Sequence, residues 1–141
     1  MLKEVYQKEA IDTDRLQYVE AHGTGTAVGD PIETKSFGNV FASEKRKEAL
    51  KIGSIKSNIG HLEGAAGVAG LIKLALSIKN KQIPGNLHFK NINPKIDLEN
   101  WKLKVVDKNS EWPEQKDGSP RLGGVNSVSY THLTLPTICS V

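Results

Sequence analysis

Two histidines in this 141-residue chain stand where a side chain can be held rigidly for chemistry. His22 follows the short apolar run of residues 16–21 and opens the turn His22-Gly23-Thr24-Gly25-Thr26-Ala27-Val28-Gly29, with three glycines in eight residues. His61 follows a second apolar run, residues 50–55, and the polar stretch Lys56-Ser57-Asn58-Ile59-Gly60. Each pattern predicts a strand, a tight turn and a histidine, and strand ends of α/β sheets are where ligands collect. A neutral imidazole donates from one ring nitrogen while a neighbour holds the other, so two of them can polarise one carbonyl oxygen as negative charge develops on it. Lys56 adds fixed positive charge at the same mouth, and Asp30 and Glu33 stand where they can orient the turn that carries His22.

Other chemistries suit these residues less. A glycine-rich turn ahead of a helix can cradle phosphate, but this one lacks the P-loop lysine, and Asp30 and Glu33 at the helix start repel an anion. A zinc site is disfavoured because only His22 and His61 are well placed and no cysteine accompanies them, so neither a metal nor a bound cofactor is expected. His88, in a loop, and His132, in the tail, read as non-catalytic.

The positioning elements follow from local pattern. Residues 2–10 read as a helix that exits at Asp12-Thr13-Asp14, and residues 16–21 as a strand. Asp30 fits an N-cap, with Pro31 at the first helical position and Glu33 completing a capping box, which predicts a helix to about residue 42. Residues 44–47 read as a charged, exposed stretch before the second strand. Apolar residues at spacings of three and four predict a helix over 62–79, and Gly64, Gly67 and Gly70 predict that it is buried, with a face where another backbone packs too close for a Cβ. Residues 86–100 read as a loop, and 103–106 and 122–125 as late strands. Two strand–helix units followed by strands indicate an α/β layer architecture.

Composition narrows the class. With 38% hydrophobic and 25% charged residues the chain suits one domain whose core is modest or completed by a partner. The net charge of +3 is concentrated in residues 51–100, but those lysines are not interleaved with aromatics, which argues against nucleic acid and leaves an acidic protein partner open. No apolar run of about 18 residues occurs and the first five residues carry charges, so neither a membrane span nor secretion is expected. The single cysteine, Cys139, excludes an internal disulfide, and a cytoplasmic location is expected.

Two long motifs carry a family resemblance. Glu20-Ala21-His22-Gly23-Thr24-Gly25-Thr26 with Gly29-Asp30-Pro31-Ile32-Glu33, and Lys56-Ser57-Asn58-Ile59-Gly60-His61-Leu62-Glu63-Gly64-Ala65-Ala66-Gly67, resemble the C-terminal half of β-ketoacyl synthases. Gly25 and Asn58 resemble the form found in modular type I polyketide synthases and related fatty acid synthases. The resemblance covers residues 5 to 127, including Asn86-Leu87-His88-Phe89 and Asn93-Pro94-Lys95-Ile96. It implies a thiolase-like fold of two similar halves, each layered α-β-α, of which this chain is the second. It also implies an acyltransferase that condenses an acyl-cysteine with a malonyl-type thioester by decarboxylative Claisen chemistry, in fatty acid or polyketide biosynthesis.

By the same resemblance His22 and His61 are the histidines of a Cys-His-His site and stabilise the enolate oxygen as carbon dioxide leaves, His61 also supporting the cysteine thiolate. Lys56 matches the lysine that holds the His61 region electrostatically, and Asp30 and Glu33 match acids that brace the His22 turn. The implied partners are an acyl carrier protein, whose phosphopantetheine arm presents the substrate, and the N-terminal half of the synthase; the implied parent is a homodimer.

The chain departs from the family at two places. No nucleophile is expected here, because the family cysteine belongs to the N-terminal half, whereas Cys139 lies after the last expected strand and in no Cys-Ser-Ser setting. Gly123-Gly124-Val125-Asn126-Ser127 leads toward a Phe-Gly-Phe-Gly-Gly-Thr-Asn loop in the family, but Val128-Ser129-Tyr130-Thr131-His132 follows. The expected division is a truncated C-terminal domain over 1–127 and a non-native or divergent tail over 128–141. Alone the chain is expected to be inactive. The alternative is a non-catalytic docking or scaffold half, against which retention of both histidines argues.

Overall fold

The chain enters through α1, Leu2–Lys8, and a single 3₁₀ turn, Thr13–Arg15, capped by Asp12, which accepts the Asp14 N–H at 3.0 Å. The computed structural model describes residues 2–128 and 137–140, the last four by backbone alone. There follow β1 (Tyr18–Glu20), α2 (Gly29–Phe41), β2 (Leu50–Gly53), the one-turn α3 (Lys56–Ile59) and α4 (Ala66–Asn80). Four further strands, β3 (Gln82–Ile83), β4 (Leu103–Val105), β5 (Ser110–Glu111) and β6 (Leu122–Val125), precede β7 (Thr137–Ser140). The main sheet runs β4-β2-β1-β6-β7, parallel across its first four strands and antiparallel at β7. Parallel neighbours need crossover connections, and α2 supplies the one between β1 and β2.

Both faces of the sheet are covered, so all three residues of β1 are buried. Tyr18 and Val19 point to opposite faces, as successive strand residues must. Val19 packs with Tyr6, Leu16, Phe37, Phe41 and Leu50 under α1 and α2, whereas Tyr18 packs with Leu74, Ile78, Trp112 and Val125 under α4. This is a mixed α/β layer structure with β1 at its centre.

Several local expectations are corrected. Asp30 is not the N-cap: α2 begins at Gly29, two residues before the expected Pro31, with Val28 at the N-cap, and Thr26 Oγ1 accepts the Gly29 N–H at 3.0 Å. Glu33 turns away from its own helix to the backbone after β1, so no capping box forms. Residues 56–59 coil into α3, and the long helix starts at Ala66 after a 3₁₀ turn, because Gly60 (φ +74°) breaks the path between them.

That helix is buried on one face only. Ala66, Gly70, Leu74, Ser77 and Ile78 meet the sheet, while Val68, Ile72 and Leu76 are 60%, 54% and 51% exposed. Gly64 faces open space, and Gly70 approaches side chains instead of backbone. Nor are residues 44–47 uniformly exposed: Arg46 is buried, its guanidinium donating to the carbonyls of Phe41, Leu16 and Thr13. Cys139 lies within β7, opposite Gly123, and not beyond the last strand. Of the expected tail, residues 129–136 and 141 lie outside the described residues. No helix among the described residues is long and apolar enough to cross a membrane.

Candidate active site

The sheet brings the ends of β1 and β2 side by side, and both histidines emerge there. Ala21 N–H donates to Gly53 O at 2.7 Å and Asn126 N–H to Glu20 O at 2.8 Å, so β1 is held on both edges up to the residue before His22. The chain then turns at Gly23 (φ +48°), where a Cβ would lie 2.7 Å from Ser54 Cβ. Only glycine satisfies both the angle and the space. Glu33 closes this turn from α2: its Oε1 accepts His22 N–H at 2.7 Å, its Oε2 accepts Gly23 N–H at 2.9 Å, and Asn126 Nδ2 donates to Oε1 at 2.6 Å. Asp30 Oδ1 accepts the Gly25 N–H at 3.1 Å, holding the outer part of the same loop.

The rings of His22 and His61 meet edge to face, with centroids 5.2 Å apart and planes at 81°. His22 Nδ1 accepts the Val128 N–H at 3.3 Å, and His61 Nδ1 accepts the Glu63 N–H at 2.9 Å. With each Nδ1 acting as acceptor, the neutral imidazoles carry their proton on Nε2, and both are donors there.

Burial is the largest influence on three ionisable groups of the site. Burial, then the positive charge of Lys56 and the neighbouring His61, hold His22 below the usual imidazole pKa. Burial lowers the Lys56 ammonium, opposed by Glu20 and Glu33. Burial raises the Glu33 carboxyl, and its hydrogen bonds to Gly23, Asn126 and His22 only partly offset this. All five residues singled out from sequence thus lie around the ends of β1 and β2, although their roles differ: two rings, one cation, and two carboxylates that hold backbone.

Sequence reasoning missed the second ring of partners. Asn126 reaches Glu33 from the end of β6, and Asn86 Oδ1 accepts the Ser54 N–H at 2.9 Å beside the Gly23 turn. Buried Glu20 pairs with Lys73 at 2.7 Å. The signal for Glu20 was an acid inside an apolar strand; the asparagines stood inside the family-like segments Asn86-Leu87-His88-Phe89 and Gly123-Gly124-Val125-Asn126-Ser127 with no role given to them. Next to this cluster lies a cavity of about 310 Å³ between the Gly23–Gly25 turn, Lys56 and the loop carrying Leu87 and Phe89. The histidine rings do not line it, and among the described residues no three metal-ligating side chains converge.

The family model described as Beta-ketoacyl synthase, C-terminal domain matches residues 1–90. The chain belongs to the β-ketoacyl synthase family. This ketosynthase chain is 48% identical over 130 residues to the hybrid PKS-NRPS synthetase pynA of Aspergillus niger, covering 92% of the chain and 3% of that protein. It is 45% identical over 130 residues to a highly reducing polyketide synthase of Aspergillus terreus, covering 92% of the chain and 5% of the relative. Among solved structures it resembles the ketosynthase from module 6 of the bacillaene synthase of Bacillus subtilis, with TM-score 0.82 and 40% identity over 89% of the chain and 22% of that one. An oxazolomycin ketosynthase domain of Streptomyces albus matches with TM-score 0.84 and 31% identity, over 90% of the chain and 23% of that domain. These ketosynthases have the thiolase-like fold, and the chain corresponds to their C-terminal part. It therefore spans a few per cent of its curated relatives and about a fifth of a solved ketosynthase domain.

Proposed function

We propose that this ketosynthase chain provides the two-histidine half of a site for decarboxylative Claisen condensation, forming a 3-oxoacyl thioester on an acyl carrier protein. The observation that carries the reading is the histidine pair: rings in contact, each Nδ1 occupied by a backbone N–H, each Nε2–H left as a donor. A malonyl-type thioester on the carrier's phosphopantetheine arm loses carbon dioxide, and the electrons of the broken C–C bond become an enolate. Its oxygen accepts both Nε2–H groups. The enolate carbon then attacks the carbonyl of an acyl-cysteine, the C–S bond breaks, and the thiolate leaves. Each donor so placed typically contributes ~10²–10³ in rate.

Lys56 supplies positive potential at this mouth, while Glu33 and Asp30 keep the His22 turn in place. The nucleophilic cysteine comes from the N-terminal half of the synthase. The register of Cys139 with Gly123, itself level with Tyr18, supports this, since it sets Cys139 about 13 Å below His22 along the strand at ~3.3 Å per residue. Polyketide assembly is favoured over fatty acid synthesis by the names of the relatives; we extend the reading to a cytoplasmic, homodimeric parent, with residues 1–127 as the domain and 128–141 as its tail.

Single-turnover assays in the complete ketosynthase test this. His22→Ala is expected to leave acylation of the cysteine largely intact and to slow decarboxylation and condensation by ~10²–10³. Normal condensation by that variant overturns the reading, as does stable acylation of Cys139 when the 141-residue chain meets an acyl thioester.

A further inference from the structure

One buried carboxylate lies beneath the histidine pair and joins the three elements that carry it. Glu20 ends β1 two residues before His22 and is 1% exposed. Its Oε2 accepts from Tyr18 Oη at 2.6 Å and pairs with Lys73 Nζ at 2.7 Å, and its Oε1 accepts the N–H of Ile55. Ile55 is the residue before α3, which bears Lys56 and leads through Gly60 to His61; Lys73 lies on α4, which follows His61. At the start of α3 Ser54 Oγ accepts the Lys56 N–H at 3.3 Å, and the Glu20 oxygen satisfies the Ile55 N–H beside it.

Two glycines make room for this arrangement. A Cβ on Gly53 would meet Tyr18 Oη at 2.6 Å, and a Cβ on Gly70 would lie 3.1 Å from Glu20 Cγ. A buried carboxylate is costly unless its lone pairs are occupied, and three donors, one of them cationic, occupy these. An apolar side chain between the same neighbours would fill the space without directing α3.

We infer that Glu20 is a positioning residue of the site, its carboxylate fixing where α3 starts relative to β1 and thereby holding His61 against His22. The inference rests on the reading of the two histidines as paired oxyanion donors. Glu20 touches no reacting atom; it acts through Ile55 and the turn that follows. Its negative charge also opposes the burial that lowers the Lys56 ammonium.

The test compares Glu20→Gln, Gly70→Ala and His22→Ala in the complete ketosynthase, at temperatures well below each variant's melting point. Glutamine keeps the shape of Glu20 but exchanges one acceptor oxygen for a donor, so it cannot serve all three partners. Decarboxylation by Glu20→Gln is expected to fall about 10–100-fold with little change in KM for the malonyl thioester, the usual scale for a displaced catalytic group. The nuclear Overhauser contact between the His22 and His61 ring protons is expected to weaken in parallel. Gly70→Ala, which crowds the carboxylate without altering charge, should show a smaller loss of both. A residue that served stability alone would lower the melting temperature and leave the rate and the ring contact unchanged, and that result in folded Glu20→Gln overturns the inference. If Glu20→Gln does not fold, normal decarboxylation by Gly70→Ala overturns it. Normal decarboxylation by His22→Ala removes the reading underneath; a defective His22→Ala beside a normal Glu20→Gln removes only this inference.

Discussion

Glu33 holds His22 by its backbone and not by its ring: the two carboxylate oxygens accept the N–H groups on either side of the His22 α-carbon, at 2.7 and 2.9 Å. The consequence is that the ring stays free to donate from Nε2 while its Cα has little freedom to move.

Replacing Glu33 with Gln exchanges an acceptor for a donor against one of those N–H groups, which should cost about 1–3 kcal/mol in urea unfolding. The cost should depend on pH. Burial raises the folded Glu33 pKa above its unfolded value of 4.5, so its ionisation-linked contribution is fully present below 4.5 and is lost as pH rises through the folded pKa. The stability gap between wild type and Glu33→Gln is therefore expected to narrow with rising pH above 4.5; a widening gap would show that the carboxylate's hydrogen bonds outweigh its burial.

His22 carries the opposite sign. Its folded pKa lies below 6.5, chiefly through burial and then through Lys56, so its contribution is present above pH 6.5 and is lost as pH falls through the folded pKa. Imidazole proton shifts should titrate below 6.5 for His22, and Lys56→Met should move that midpoint upward. An unmoved midpoint would place the Lys56 charge too far away to matter.

Gly23→Ala puts a side chain at φ +48° and a Cβ 2.7 Å from Ser54 Cβ. Strain of this kind costs about 1–3 kcal/mol. Condensation by the complete enzyme should fall with it, because the displaced turn carries His22. Full activity with unchanged thermal stability would show that the turn relaxes at no cost.

The bare stripe Val68, Ile72 and Leu76 predicts that the 141-residue chain binds a hydrophobic dye or self-associates, and that Ile72→Lys reduces both. Covering each of these side chains is worth roughly 1.5–3 kcal/mol. In the complete enzyme the same substitution should destabilise, if the stripe is covered there; sedimentation and thermal melting read the two effects.

Much of this protein was legible in its sequence because the signals are local. The glycine-rich turn at His22 and the polar stretch Lys56-Ser57-Asn58-Ile59-Gly60 before His61 mark the two turns, and the apolar periods of residues 16–21, 50–55 and 62–79 mark the strands and helix around them. The two strand–helix units and the family resemblance follow from those motifs alone. Long-range geometry decided the rest. Glu33 looked like a partner for Asp30 three residues earlier, yet its carboxylate reaches residues ten and eleven positions away, since the fold offers it two unpaired N–H groups after β1. Arg46 looked like a surface charge until three carbonyls, two from the 3₁₀ turn and its C-cap (Thr13 and Leu16) and one from Phe41 at the end of α2, enclosed it. Glu20 and Lys73 are 53 positions apart and become one ion pair only when α4 lies across β1. Helix periods and turn residues are written along the chain, but the partner of a buried charge depends on which strands become neighbours, and that is settled only when the sheet closes.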